Sequence, residues 1–451
     1  MFKRITGILS VALACALLFG ALASCTAGRV PTGTKSGEPT GAQSARPSGG
    51  TTNADTPSLL EKLGEADLMK GIVASSAPAG TPDARFISAQ DDRSAKLLSA
   101  FAAKDRGQNV LLSPLSIEAA FLLIANGAGG ETLKEFEEFF GGMPIDDLNS
   151  NMRAYLAGLY TGEKAKLSVA DSIWVKNTPT FTVNRDFLQK NADCYGAEIY
   201  KRAFDDETLD LINAWCKKNT DGMIDHILDE FPEEAVMVLI NALFFESAWN
   251  EEFQTDLTMI APFTNYDGSK TSAYMMRGNS YSYLSGDGFT GFTKSYYGYY
   301  FAALMPDENV DLYDFTASLD GEKLSSVLGA KKEATVLVTM PVFEAAYETD
   351  LIGTLSQLGL SSAFNADKAD FSGLGVCTDG DLYIGQAKHK TYITVTESGT
   401  RAAAVTGILP EAVTADVEEY SVVLDRPFVY MIVDALTDTP IFIGAQATMA
   451  P

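Results

Sequence analysis

Histidine and cysteine are scarce in this chain, and positive charge is outnumbered. Two His and five Cys in 451 residues leave little material for zinc sites, and no C-x-x-C pair occurs. The G-x-S-x-G elbow, the H-E-x-x-H helix and the Gly-rich phosphate loop closed by Lys-Ser/Thr are all missing, which removes the common hydrolase, metalloprotease and nucleotide-binding signatures. Each His reads as structural: His226 sits in Met223-Ile224-Asp225-His226-Ile227-Leu228, and His389 leads into an apolar strand. The 34 Lys+Arg against 59 Asp+Glu give a net charge of −25, and such a surface repels phosphate and anionic headgroups. Nucleic acid is therefore not an expected partner, and a membrane is not expected to be bound by charge. Acidic runs such as Asp205-Asp206-Glu207 and Glu418-Glu419 read as solvated surface. No catalytic residue, cofactor or metal is expected.

What is present falls into three parts. Lys3 and Arg4 precede an almost wholly apolar run from Ile5 to Ala23, which ends in Leu22-Ala23-Ser24-Cys25. Residues 1–24 look like a bacterial lipoprotein signal with Cys25 as the lipidated first residue of the mature chain. An uncleaved anchor is the alternative, since roughly 19 apolar residues can span a bilayer. Either reading puts the body outside the cytoplasm, at the cell surface or released from it. Residues 25–85 are rich in Gly, Ser, Thr, Ala and Pro and too poor in apolar residues to form a core, so they read as a tether. One stretch, Leu59 to Val73, has the apolar spacing of a short amphipathic helix that either docks on the body or idles. No comparable linker follows, and residues 86–451 read as one folded unit. With Cys15 in the signal and Cys25 lipidated, Cys194, Cys216 and Cys377 remain; a disulfide scaffold is excluded and buried free thiols are expected.

Within the unit, helices come first and strands dominate later. Ser94–Ala103, Ser116–Asn126 behind the cap and turn Ser113-Pro114, and Glu131–Phe140 have helical patterns. Strand runs are Ser168–Val175, Val236–Phe245, Tyr299–Met305, Thr335–Pro341, Thr391–Val395, Ser421–Leu424, Phe428–Val433 and Ile441–Gly444. No β-α-β alternation is sustained, so the fold class is α+β. One segment stands apart, Thr396 to Glu418. It is too long for a hairpin and too mild for a core strand, and loops of that length in compact domains are functional or disordered. With period two, Thr400, Ala402, Ala404 and Thr406 share one uniformly small face, while Arg401, Ala403, Val405 and Gly407 share the other. Such a run is a candidate for conditional insertion between existing strands.

The run Glu397-Ser398-Gly399-Thr400-Arg401-Ala402-Ala403-Ala404-Val405-Thr406 resembles the hinge of a serpin reactive-centre loop. Asn109 to Ile117 resembles the start of that family's central helix, and Asn213-Ala214-Trp215 through Thr220-Asp221-Gly222-Met223-Ile224 resembles its N-x-W-x-x-x-x-T-x-G-x-I helix and turn. Asn241 to Trp249 matches its central strand, and Arg426-Pro427-Phe428 with Pro440 to Gly444 its closing strands. The resemblance covers essentially all of Phe86 to Thr448.

It implies a serpin fold of three β-sheets and about eight or nine helices, with a reactive-centre loop over about residues 397–426. It implies a monomeric suicide inhibitor of a serine or cysteine protease. The protease forms an acyl-enzyme on the loop, and the freed hinge then inserts as a new strand; about fifteen residues at about 3.3 Å each carry the acyl end roughly 50 Å. Insertion as a switching device is a known use of this fold. The hinge maps to Glu397, Gly399, Thr400, Ala402, Ala403 and Ala404, the shutter beneath the sheet to Ser113, Ser116, Asn241 and His389, and the breach where insertion starts to Trp249. Arg401 replaces the family's usual acidic residue. Counting seventeen residues from Glu397 puts the scissile bond at Val413-Thr414, suited to elastase-, subtilisin- or chymotrypsin-like proteases. Counting back from Pro427 points to Asp416-Val417 instead. Two other readings stay open: a non-inhibitory serpin-fold surface protein that is cleaved without trapping, and a hydrolase that uses a Ser with His389.

Overall fold

A computed structural model describes residues 62–64, 67–233, 235–378, 382–400 and 418–449. The chain divides into Met1–Gly50 and Thr51–Pro451, and every described residue belongs to the second unit. The N-terminal part is helical: α1 (Ala84–Lys104), β1 (Val110–Leu112), α2 (Pro114–Ala125), α3 (Gly130–Phe139) and α4 (Ile145–Gly158). Then come β2 (Ala165–Lys176), β3 (Phe181–Val183), α5 (Arg185–Tyr195), β4 (Glu198–Arg202), α6 (Asp206–Asn219) and β5 (Met237–Ala248). A meander follows, of β6 (Met259–Thr264), β7 (Lys270–Gly286), β8 (Phe289–Ser295) and β9 (Tyr299–Pro306), closed by α7 (Leu312–Ser318) and α8 (Gly321–Gly329). The last elements are β10 (Lys332–Pro341), β11 (Phe343–Asp350), α9 (Ile352–Gln357), β12 (Gly375–Cys377), β13 (Gln386–Thr396), β14 (Gly399–Thr400), β15 (Glu419–Val423), β16 (Phe428–Asp434) and β17 (Pro440–Gln446). Nine helices among the described residues agree with the expected eight or nine.

Hydrogen bonding joins the strands into three sheets. A nine-stranded sheet runs β1-β17-β16-β9-β8-β7-β10-β15 with β6 on β7, a six-stranded sheet runs β11-β13-β14-β5-β2-β4, and β3 pairs with β12. The two large sheets share one continuous core, and α2 is buried along its whole length within it. Its sequence, Pro-Leu-Ser-Ile-Glu-Ala-Ala-Phe-Leu-Leu-Ile-Ala, is apolar on every side, as such a position requires. Ser113 caps this helix by accepting the Ser116 N–H at 3.2 Å, and Pro114 opens it.

The outer face of the six-stranded sheet is covered by α6, over a second small core of Trp174, Tyr200, Leu211, Trp215, Val238 and Ile240. The motif around Asn213 does identifiable work here. The Asn213 side chain accepts from the Ile227 and Leu228 N–H groups at 2.8 and 3.1 Å and donates to Leu228 O at 3.0 Å, which ties the chain after α6 back onto the helix. Thr220 Oγ1 accepts the Ile224 N–H at 3.0 Å, and Gly222 takes φ +79, a value that favours glycine.

Part of the expected tether lies against this body. Leu63 is buried in the small core beside α6, Asp67 bridges to Tyr200, and the Leu68 N–H donates to Ile199 O at 2.9 Å along the free edge of β4. The amphipathic pattern over 59–73 therefore does not become one helix among the described residues. Residues 62–64 form a helical turn, and Asp67 Oδ1 holds the Met69 N–H at 2.8 Å in a turn that follows the sheet edge. The three described cysteines are free, but only Cys216 is fully buried; Cys194 and Cys377 are half-buried.

Candidate functional site

Alternation sets which side chains face the core. Along β13, Ala387, His389, Thr391, Ile393 and Val395 point inward and the residues between them outward. On β5, Leu239, Leu243 and Phe245 enter the main core, while Val238, Ile240 and Ala242 face α6. The lower parts of these two strands pair directly and in parallel, with Gln386 to Lys390 against Val238 to Ala242. At the upper end they are parted. The chain leaves β13 at Thr396, turns through Glu397 and Ser398, and returns as β14, pairing antiparallel with Val395 and Thr396 on one side and with Ser247 and Ala248 on the other. Gly399 makes the return possible with φ +144.

The turn is held by its neighbours. Trp249 donates its N–H to Ser398 O at 3.0 Å and its indole Nε1–H to Thr396 O at 2.8 Å; the Phe253 N–H reaches Glu397 O at 2.9 Å. Thr258 Oγ1 donates to Glu397 Oε1 at 2.8 Å. Thr400 is completely buried, its hydroxyl 2.6 Å from Tyr296 Oη, and the Tyr296 ring stacks on Trp249 with centroids 4.2 Å apart. Lys294 lies beneath, 4.4 Å from the Phe253 ring centroid, and its Nζ donates to Asn279 O at 3.0 Å. Burial lowers the Lys294 pKa to about 8.

Where β5 and β13 still touch, a polar network pins both strands to α2. Asn241 Nδ2 donates to Ser116 O at 2.8 Å and to Asp171 Oδ1 at 2.5 Å, while its Oδ1 accepts from Ser116 Oγ and lies 3.2 Å from His389 Nδ1. His389 Nε2 accepts the Ser113 N–H at 3.2 Å, so Nδ1 carries the ring proton and donates to Asn241. Ser113 Oγ donates to Ile441 O at 2.8 Å. Burial drives the His389 pKa down to about 3, which keeps the imidazole neutral, and drives Asp171 up to about 7 despite the Asn241 bond. A neutral His389 with both nitrogens committed is a structural pin and has no nucleophile to serve. The other His is exposed, 2.7 Å from Asp229.

The residues expected as shutter (Ser113, Ser116, Asn241, His389) are thus brought together, and Trp249 stands beside Glu397, Gly399 and Thr400 at the parted end. The expected Ala402, Ala403, Ala404, Val413, Thr414, Asp416 and Val417 lie outside the described residues, as does Cys25. Three contributors were not legible in the sequence. Asp171, in Val169-Ala170-Asp171-Ser172-Ile173, reads as a surface acid within a strand. Tyr296 and Lys294 end a strand that carries no motif, about a hundred residues before the hinge they contact.

The six-stranded sheet of this mixed protein is thus parted at one end by Gly399 and Thr400, near the start of its own long loop, above a buried polar clasp. A family model described as Serpin (serine protease inhibitor) matches residues 88–448, and the chain belongs to that family, whose members inhibit proteases and are not enzymes. It is 29% identical over 367 residues to Serpin-ZX of Arabidopsis thaliana, covering 75% of this chain and 92% of that one. It is 29% identical over 368 residues to the leukocyte elastase inhibitor of Equus caballus, covering 77% and 95%. Among solved structures, the thermophilic serpin tengpin in its native state superposes with a TM-score of 0.81 at 38% identity, covering 85% of this chain and 99% of tengpin.

Proposed function

We propose that the protein traps a serine-type protease as a suicide substrate, by inserting its cleaved loop into the six-stranded sheet. The observation that carries this reading is β14, a dipeptide already paired on both edges while the strands below it remain closed. Continuing that register one residue per step seats Ala402 between Phe245 and Ile393, Ala404 between Leu243 and Thr391, and Thr406 between Asn241 and His389. Every residue that would turn toward the core on this path as far as the clasp is Ala or Thr. Pro410, which has no N–H to give a ladder, falls level with Met237, where β5 begins. The strand therefore ends where the sheet does, three residues before Val413, and this favours Val413-Thr414 as the scissile bond over Asp416-Val417. The small apolar Ala412-Val413-Thr414 suits an elastase-, subtilisin- or chymotrypsin-like protease. The body acts as a monomer, held outside the cytoplasm by lipid on Cys25.

The test is incubation of the soluble form, residues 26–451, with proteases of these kinds and a trypsin-like one, followed by denaturing gels and sequencing of the released C-terminal fragment. A band at the summed mass is the expected result, with Thr414 as the first residue of the fragment. Cleavage by the whole panel without such a band would refute trapping and leave a serpin-fold surface protein cut as a substrate.

A further inference from the structure

Asp171 is an uncommon occupant of a buried clasp. It lies on β2 directly opposite Asn241 of β5, on the sheet face that meets α2, and is only 7% exposed. It forms no ion pair among the described residues, and the Asn241 amide is the hydrogen-bonding group that stabilises its charge. The titratable groups on the elements packed around it give no help. Glu118 of α2 is tied to Arg93, Tyr195 of α5 donates to Asn149 Oδ1 at 2.5 Å, and His389 of β13 is neutral. Arg93 is spent on Glu118, Lys190 of α5 on Asp146 and Lys390 of β13 on Glu348, and no Lys or Arg among the described residues pairs with Asp171.

Resting on the insertion reading above, we propose that Asp171 is a positioning residue of the shutter: its carboxyl orients the Asn241 amide that pins β5 to α2, and loss of its proton eases the parting of β5 from β13. The orientation follows from chemistry. With Nδ2 donating to the Asp171 carboxyl and to Ser116 O, Asn241 Oδ1 is turned toward Ser116 Oγ and His389 Nδ1, contacts that tie the strand to the helix and to β13. Parting the strands pulls Asn241 away from His389 and admits water or a polar strand residue to this dry site. An ionised Asp171 gains most from that change, because burial without a cation penalises the charged form in the closed sheet. The sign is fixed by linkage. The closed sheet holds the proton more tightly than the parted one, so its advantage is complete in acid and is lost as pH rises through the buried group's midpoint. A single proton released on opening makes the rate climb by up to about tenfold per pH unit below that midpoint, and the rate levels off above it.

The experiment measures annealing of a fluorescent synthetic peptide of residues 401–413 into the full-length protein between pH 6 and 8.5, for the native chain and for Asp171→Asn. That replacement is isosteric and keeps an acceptor for Asn241 while removing the titration. The annealing rate should rise several-fold with pH in the native chain and lose most of that slope in the variant. Should Asp171→Asn fail to fold, Asp171→Ser takes its place, with the same expectation. Equal slopes in native and variant proteins would overturn the proposal and leave the insertion reading intact. No annealing in either protein at any pH would overturn both.

Discussion

Replacing Thr400 by Arg puts the insertion pathway to its most direct test. Thr400 is the first inward residue of the inserting strand, wholly buried, with its hydroxyl 2.6 Å from Tyr296 Oη. A guanidinium at this position would enter a pocket walled by Tyr296 and Trp249, where the nearby charge is the cation of Lys294, 5.8 Å from the Trp249 ring. An unpaired buried charge costs about 3–5 kcal/mol, so the arginine leaves the parted end in the resting protein and the cost falls on its re-entry. At about 1.4 kcal/mol per factor of ten, insertion slows by about two to three and a half orders of magnitude. Insertion competes with hydrolysis of the acyl-enzyme, so a slowing of this size lets hydrolysis win on nearly every encounter. The assay is titration of active protease with inhibitor, which gives the number of inhibitor molecules consumed per protease silenced. Thr400→Arg should be cleaved at the native rate and consumed in large excess, while Thr400→Ser, which keeps the hydroxyl, should stay close to native. A Thr400→Arg protein that still traps one protease per molecule would refute the reasoning, because the residue could not then have passed beneath the sheet.

Three further outcomes are expected. Asn241→Ala should destabilise the native state by about 3 kcal/mol, since it strands the Asp171 carboxyl, the Ser116 hydroxyl and the His389 Nδ1–H in a dry site; an unchanged thermal transition would show that the clasp carries no weight. On insertion, Arg401 falls directly opposite Glu246, which also lies 3.6 Å from Lys166. Arg401→Glu should therefore raise the fraction of loop cleaved without trapping about two- to fivefold through a like-charge pair, and Glu246→Lys in the same protein should restore it; no rescue in the double variant would rule the register out. Cys25→Ala should release the protein from membranes or block its processing, and continued labelling by a radioactive fatty acid would contradict the anchoring proposal.

Much of this molecule is legible because its motifs are local. Asn213, Thr220 and Gly222 act within one helix and turn, and Ser113-Pro114 begins a helix by short-range rules, so spacing alone reveals them. The small face of the hinge is legible for the same reason, since a period of two needs no partner to be seen. The parts that escaped depend on what is laid over them. Asp171 sits in a strand of mixed polarity and becomes buried only because α2 crosses beneath it. Lys294 looks like an exposed strand end until Trp249 and Phe253 close over its stem. The apolar residues between Leu59 and Val73 have helical spacing, yet the edge of β4 offers the Ile199 carbonyl to the Leu68 N–H, and an open sheet edge competes successfully with an isolated helix too short to hold itself.

The strap along β4 also marks one pole of the sheet. Lys62 contacts Glu207 and Arg202 at the end of the sheet marked by Lys176 and Val236, whereas the hinge enters beside Ala248 at the other end. Twelve strand residues, about 40 Å, separate the two. Under the anchoring proposed above, the tether joins the body at one pole, and the hinge enters the sheet at the opposite one. A protease trapped by insertion would then travel, as the strand runs down the sheet, nearly the length of the body toward the pole where the tether joins. The same stroke that disables the enzyme would leave it at the tethered end of its inhibitor.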